Sequence, residues 1–349
     1  MTFLLKELWT YHILPFVSPI DLCRFQLVSK HCFNLTRPFQ PLLNRWKRRV
    51  QDKTHNRCMF EAVKEGHRDL VQLFINRGAI DWNKALWFAS EQGSKDLIQL
   101  FIDKGANDIH DGVYWASKGG RKDLVQFYID KGVNTCNSGL AGASLGGHKD
   151  LVELFLAKGA WQFDWALSCA SEGAHKDLIQ LFIDKGANDW NWALHGASKG
   201  GHKDLVQLFI DKGADDMNDG LTGASREGHT SLVQFLIDKG ASDWNAGLAK
   251  ACYGGHHDVV QLFIEKNCAY STLGLNCASK AGHKDLINLF IDKGANDWNS
   301  ALCAASEGGH KELVQFFIDK GADCWSMGLN GASAGDHKDL IEFFQNKLK

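Results

Sequence analysis

The sequence predicts an all-α fold, a solenoid of helix pairs behind a small helical N-terminal domain, and three observations lead to it. Histidine recurs at His148, His175, His202, His229, His256, His283 and His310, each 27 residues after the last. The same ruler runs back through Arg121 and Ser94 to His67 and forward to His337, so eleven units fit without insertion or deletion. Alanine fills a second, unbroken column at Ala62, Ala89, Ala116, Ala143, Ala170, Ala197, Ala224, Ala251, Ala278, Ala305 and Ala332. Each unit also alternates an apolar run of helical spacing with a run of small residues. A fixed period of this size marks an array whose units need only their neighbours for a core.

The first domain, residues 1–52, does not follow the ruler. Its clearest helix begins at Pro19, where Ser18 can cap and proline suits the first helical position. Leu22, Phe25, Leu27 and Val28 then share the packing side. The run Ile13-Leu-Pro-Phe-Val-Ser-Pro-Ile-Asp-Leu22, followed by Val28-Ser-Lys30, Phe33 and Trp46, resembles the F-box. It departs from that family in lacking the opening Leu-Pro, and Pro15 stands where a helix normally continues. The resemblance implies docking to the Skp-type adaptor of a cullin-based ubiquitin ligase, through Ile13, Leu14, Pro15, Val17, Pro19 and Leu22. The alternative is a plain helical cap, since the ends of a solenoid need covering. The nearby cluster Arg45, Lys47, Arg48 and Arg49 is short and interrupted, and reads as a solvated helix end.

Residues 53–349 carry the array. In the unit beginning at Gly201, apolar side chains at Leu205, Val206, Leu208, Phe209 and Ile210 form a broad stripe suited to a buried helix. Asp204 in the first turn and Lys212 in the last favour the helix dipole, and Gly213 supplies a left-handed stop. A second, shorter helix is expected around Ala193–Ser198, ended by Gly200 and Gly201. Its small residues allow close approach to its neighbours. The order Leu-Ala-Ser, Gly-His, Leu-Val, Leu-Phe-Ile, Gly-Ala resembles the ankyrin repeat. The usual ankyrin unit is about 33 residues long, and the missing ones fall where its β-hairpin finger projects. The resemblance therefore implies an ankyrin-like solenoid lacking fingers, whose binding surface is a groove lined by the short helices.

Comparing the units with one another separates scaffold from recognition. The apolar helix and the alanine column barely change, which assigns them to the core. The repeated Gly-His pair reads as capping and hydrogen bonding. Equivalent histidines lie a helix layer apart, about 10 Å, too far for shared coordination at about 2 Å. No nucleophile accompanies them, so an active site is not indicated. The column Trp82, Trp190, Trp244, Trp298 and Trp325 reads as packing within the connector. The varied positions follow i, i+3, i+4, i+7 and so share one face of the short helix. They include Lys84, Trp87, Phe88 and Glu91, then Asp111, Tyr114, Trp115 and Lys118. Later units place Trp165, then Trp192, His195, Gly196 and Lys199, then Asp219, Thr222, Gly223 and Arg226 there. Tryptophan and tyrosine dominate interface energies, so the expected target-binding residues are Trp87, Phe88, Glu91, Tyr114, Trp115, Lys118, Trp165, Trp192, His195 and Lys199.

Composition narrows the function. The net charge of -2 and the pI near 6.7 argue against nucleic acid as the main partner. No run approaches the roughly 18 apolar residues a membrane span needs, and Lys6 and Glu7 interrupt any leader. The ten cysteines are scattered singly, with no CxxC pair, as in a reduced intracellular protein. The expectation is a non-enzymatic, monomeric, cytoplasmic adaptor without cofactor, holding a protein target in its groove and the ligase through its head. N-terminal F-boxes joined to short ankyrin arrays resemble proteins of large DNA viruses and some protists, which implies a target in a host cell. The rival expectation is a scaffold with no ligase link.

Overall fold

A computed structural model describes residues 52–348, apart from 77, 134 and 267–270. The F-box-like positions Ile13 to Leu22 lie outside the described residues. The chain forms two compact units, divided between Trp161 and Gln162. In the first, the helices are α1 (Asp52–Lys64), α2 (Arg68–Ile75), α3 (Trp82–Gln92), α4 (Lys95–Asp103), α5 (Ile109–Lys118), α6 (Lys122–Asp130), α7 (Cys136–Gly146) and α8 (Lys149–Ala157). The second opens with α9 (Phe163–Glu172), α10 (Lys176–Asp184), α11 (Trp190–Lys199), α12 (Lys203–Asp211), α13 (Met217–Glu227) and α14 (Thr230–Asp238). It continues with α15 (Trp244–Gly254), α16 (His257–Glu265), α17 (Ser271–Ala281), α18 (Lys284–Asp292), α19 (Trp298–Glu307), α20 (Lys311–Asp319), α21 (Trp325–Ala334) and α22 (Lys338–Lys347). Each odd helix and the even helix after it make one repeat. No strand occurs among the described residues, in keeping with the expected loss of the fingers.

The even helices form where the apolar run was read, but only part of the stripe is covered. Leu205, Val206 and Phe209 are buried, Ile210 is half-buried and Leu208 keeps 38% of its surface in solvent. Asp204 sits in the first turn of α12, whereas Lys212 stands just past the last, at the C-cap. Gly213 follows at φ +107, the left-handed stop.

The odd helices overturn one expectation: they are not the shorter ones. α11 has 10 residues against 9 in α12. The small residues Ala193 to Ser198 are only its middle. Asp189 accepts the Trp192 N–H at 3.0 Å and so starts the helix upstream, with Trp190 and Asn191 inside it. Asp81, Asp216, Asp243 and Asp297 cap α3, α13, α15 and α19 in the same way. The tryptophan column thus opens helices rather than filling connectors. Trp82, Trp190 and Trp298 stack on Phe101, Phe209 and Phe317 of their own repeats at 6.4–6.5 Å, so their role is packing, as the recurrence implied.

Odd helices of successive repeats pack closely against one another, and even helices do so far less. Small side chains permit this: a methyl on Gly196 would lie 2.1 Å from the Ser168 carbonyl oxygen. One polar atom that enters the core is met by another repeat. Tyr128 stands in the column of buried phenylalanines, and its hydroxyl lies 2.7 Å from Ser90 Oγ, which donates to the Leu86 carbonyl.

Two further contacts join repeat to repeat, one at each end of the odd helices. At the N-terminal end, Asn191 Oδ1 accepts the N–H groups of Asp215 and Asp216 at 2.8 and 3.0 Å. Asn83, Asn218 and Asn299 hold the next connector likewise, and Asp164 does so with a carboxylate. At the C-terminal end the Gly-His histidine acts. It makes no side-chain cap to the helix it precedes. Its Nε2 reaches back to a carbonyl that ends the previous odd helix: His202 to Glu172 at 2.9 Å, His229 to Lys199 at 2.9 Å and His256 to Arg226 at 2.8 Å. His148, His283, His310 and His337 repeat the contact. A carbonyl only accepts, so Nε2 carries the proton. Gly201, at φ +76, makes room for the ring, because a Cβ there would come within 2.7 Å of His229. Arg121 occupies the histidine column and donates from Nε to the Glu91 carbonyl at 3.0 Å.

Arg121 supplies the test of this contact. His229→Ala, which orphans the Lys199 carbonyl, is expected to cost about 1–2 kcal/mol in urea unfolding of the intact protein. His229→Arg should recover much of that loss, as Arg121 does naturally. Equal losses for both variants would assign the effect to ring packing instead.

Candidate protein-binding face

The varied positions are brought onto one side of each odd helix, and in each unit they form a contiguous surface. In the first unit the aromatic positions are half-buried and pack on one another. Trp87 stacks on Trp115 at 5.9 Å, Phe88 lies 6.2 Å from Trp115, and Tyr114 meets the Trp115 ring edge-on at 5.4 Å. Phe60 extends the cluster to Phe88 at 5.4 Å. Cations frame it: Lys64 lies over Phe88 at 4.6 Å, Lys84 over Phe60 at 5.3 Å and Lys118 over Trp115 at 4.8 Å. Lys118 also pairs with Glu91 at 3.0 Å. All six expected residues of this unit therefore meet in one patch. Its rings share their area among themselves and offer faces and edges, not free-standing side chains. The indole N–H of Trp87 is buried and meets no hydrogen-bond acceptor within the described structure.

The second unit presents a more polar face. Trp192 is 42% exposed, while Trp165 is half-buried. Lys199 Nζ donates to Glu172 at 2.8 Å across adjacent repeats. His195 Nδ1 lies 3.1 Å from Asp219 Oδ2 and 3.2 Å from the Asp219 carbonyl oxygen. The hydrogen bond to Asp219 raises the His195 pKa above its usual value, against the opposing effect of burial. The same hydrogen bond lowers that of Asp219, again against burial. Thus four expected residues of this unit share a face, but two of them are engaged by carboxylates. Sequence reading passed over other exposed apolar side chains: Trp161 at 68%, Ile80 at 65% and Tyr253 at 39%. Trp161 and Ile80 occupy a connector column that elsewhere holds mostly Asn, Asp or Ser, a departure visible in the repeat alignment itself.

Burial pushes the Cys169 thiol up to about 12, and raises those of Cys252, Cys277 and Cys303 as well. Among the described residues no group of three or more His, Cys, Asp or Glu could hold a metal ion, and no helix is long and apolar enough to cross a membrane.

Residues 167–328 match the family model for ankyrin repeats (3 copies), in overlapping windows 167–247, 221–298 and 248–328. That stretch of the second unit is built of ankyrin repeats, shortened here to 27 residues. Among solved structures, the human ASB11 ankyrin repeat domain is similar at 21% identity and a TM-score of 0.35, over 45% of this chain and 84% of that one. No curated protein matches the chain. Ankyrin repeats are a protein-binding scaffold, and no enzymatic family is indicated.

The His195–Asp219 pair carries a pH signature. His195 stabilises the fold fully below its unfolded value of about 6.5 and loses that contribution as pH rises through its raised folded pKa. Asp219 contributes fully above its unfolded value of about 3.9 and loses it as pH falls through its depressed folded pKa. Asp219→Asn is therefore expected to destabilise the protein most between those values and least in alkali. In the same variant the His195 imidazole, followed by NMR, should titrate at a lower pH. An unmoved titration would show that the two side chains do not interact in solution.

Proposed function

We propose that this chain is a recruiting adaptor: the odd-helix face captures a target protein, and the N-terminal domain docks the Skp-type adaptor of a cullin-based ubiquitin ligase. The aromatic patch of the first unit carries the first half. Trp87, Phe88, Tyr114 and Trp115 form a half-buried ring cluster framed by cations, the residue types that concentrate binding energy. Trp192 adds an exposed ring on the second unit. The second half rests on the F-box-like run Ile13, Leu14, Pro15, Val17, Pro19 and Leu22. Joining the two functions in one chain raises the effective concentration of target beside the ligase, with no residue performing chemistry. In this reading the protein acts as a monomer in the cytoplasm, that of a host cell if it is viral. A scaffold without the ligase link is the second reading. The family match to the repeats is compatible with it.

Two measurements separate these readings. Affinity capture from cell extract by the intact protein should weaken about 30-fold or more, at about 2 kcal/mol or more for the loss of the stacked pair, when Trp87→Ala and Trp115→Ala are combined. Trp192→Ala, which removes an exposed ring, should change stability by no more than about 0.5 kcal/mol yet still weaken capture. Undiminished capture in both would remove the groove assignment. Pull-down with the Skp-type adaptor should succeed for the intact chain and fail for Leu14→Asp. Failure with the intact chain leaves the scaffold.

A further inference from the structure

The odd-helix face of the second unit is not evenly charged. Three of its acids are taken by cations of the same face: Glu172 by Lys199 at 2.8 Å, Glu307 by Lys280 at 2.6 Å, and Asp219 by His195 at 3.1 Å. Arg226 and Lys250, on the adjacent helices α13 and α15, have no such partner. The nearest acid to Arg226 is its own neighbour Glu227, at 4.0 Å, and the Arg226 side chain keeps 59% of its surface in solvent. Lys250 makes no ion pair among the described residues and acts on Asp219 only through space. One turn after Lys250 on the same helix stands Tyr253, 39% exposed. Gly223 and Ala249 occupy face positions on these two helices and keep the surface low. The chain as a whole is slightly acidic, with a net charge of -2, so this concentration of positive charge is local.

We infer that Arg226, Lys250 and Tyr253 form a docking site for an acidic, carboxylate-rich segment of the captured protein. The inference rests on the odd-helix face being the binding face and specifies its ligand chemistry. Arg226 presents a fork of N–H donors matched to a carboxylate. Lys250 supplies a point charge one repeat away, and the Tyr253 ring, its hydroxyl hydrogen-bonded with Cys277, offers an apolar flank. Lys280 and Lys199, already neutralised, bound the site on either side. Opposite charge on a partner gains steering and register from such a surface.

The test uses the full chain and a short polyglutamate peptide labelled with fluorescein, read by anisotropy at low salt. Arg226→Glu combined with Lys250→Glu should weaken binding about tenfold or more, and added salt should weaken wild-type binding. Lys176→Glu combined with Lys293→Glu makes the same change in net charge at exposed positions at the ends of even helices, and should leave binding nearly intact. Equal losses in the two double variants, or no binding by wild type, would overturn the assignment. Circular dichroism of each variant establishes that it is folded. Trp87→Ala with Trp115→Ala should leave peptide binding untouched. Loss of the broader groove reading is thereby distinguishable from loss of the acidic-ligand site.

Discussion

Within each unit, repeat after repeat is held to its neighbour by a histidine side chain whose Nε2–H donates to a carbonyl at the end of the odd helix one repeat earlier, with Arg121 in the same role at one position. The carbonyls at a helix C-terminus have no partner inside the helix. In an array of short helices such termini come around every few residues, so leaving them unmet would cost about 1–3 kcal/mol each where buried. The Gly-His pair meets this need from the neighbouring repeat. Glycine opens the space, the ring enters it, and the bond closes across the interface. At the other end of the odd helix an asparagine oxygen gathers two N–H groups of the next connector. Stability of the array is thus distributed over nearest-neighbour contacts, as expected of a solenoid.

These contacts account for the loss of the fingers. With about six residues fewer than the usual unit, there is no β-structure among the described residues to brace one connector against the next. Asn191, Asn83 and their equivalents perform that bracing with a single side chain. Trp190 then stacks on Phe209 and fixes the connector to the core of its own repeat. The result is a scaffold in which the varied positions lie on the face of the odd helices.

Much of this was legible in the sequence. The strict period located every repeat, and the Leu205, Val206, Phe209 pattern located its core. What failed was direction. A column of histidines shows recurrence, yet the acceptor lies 30 residues upstream in another repeat, where no local pattern points. The odd helices looked short because glycine and alanine dominate their middle and Asp189 was not recognised as the cap. The candidate face was legible in position, since residues at helical spacing share a side wherever the helix sits. Its state was not: the burial of Trp87 and Trp115 follows from their stacking on each other, and the engagement of His195 from Asp219 in the next repeat. Charges left without a partner in a neighbouring repeat, such as Arg226, are visible only once the pairs have been drawn.

The acceptors of the histidine contacts share one property. They are the main-chain oxygens of Lys118, Glu172, Lys199, Arg226, Tyr253, Lys280 and Glu307, residues whose side chains stand on the varied face. A main-chain oxygen is the same whatever side chain follows it. The bond that holds the stack together is therefore indifferent to the residue displayed there, and acid, base or aromatic ring can be exchanged without loosening the joint. Sequence drift at these sites can rewrite what the surface prefers while the architecture stays as it is.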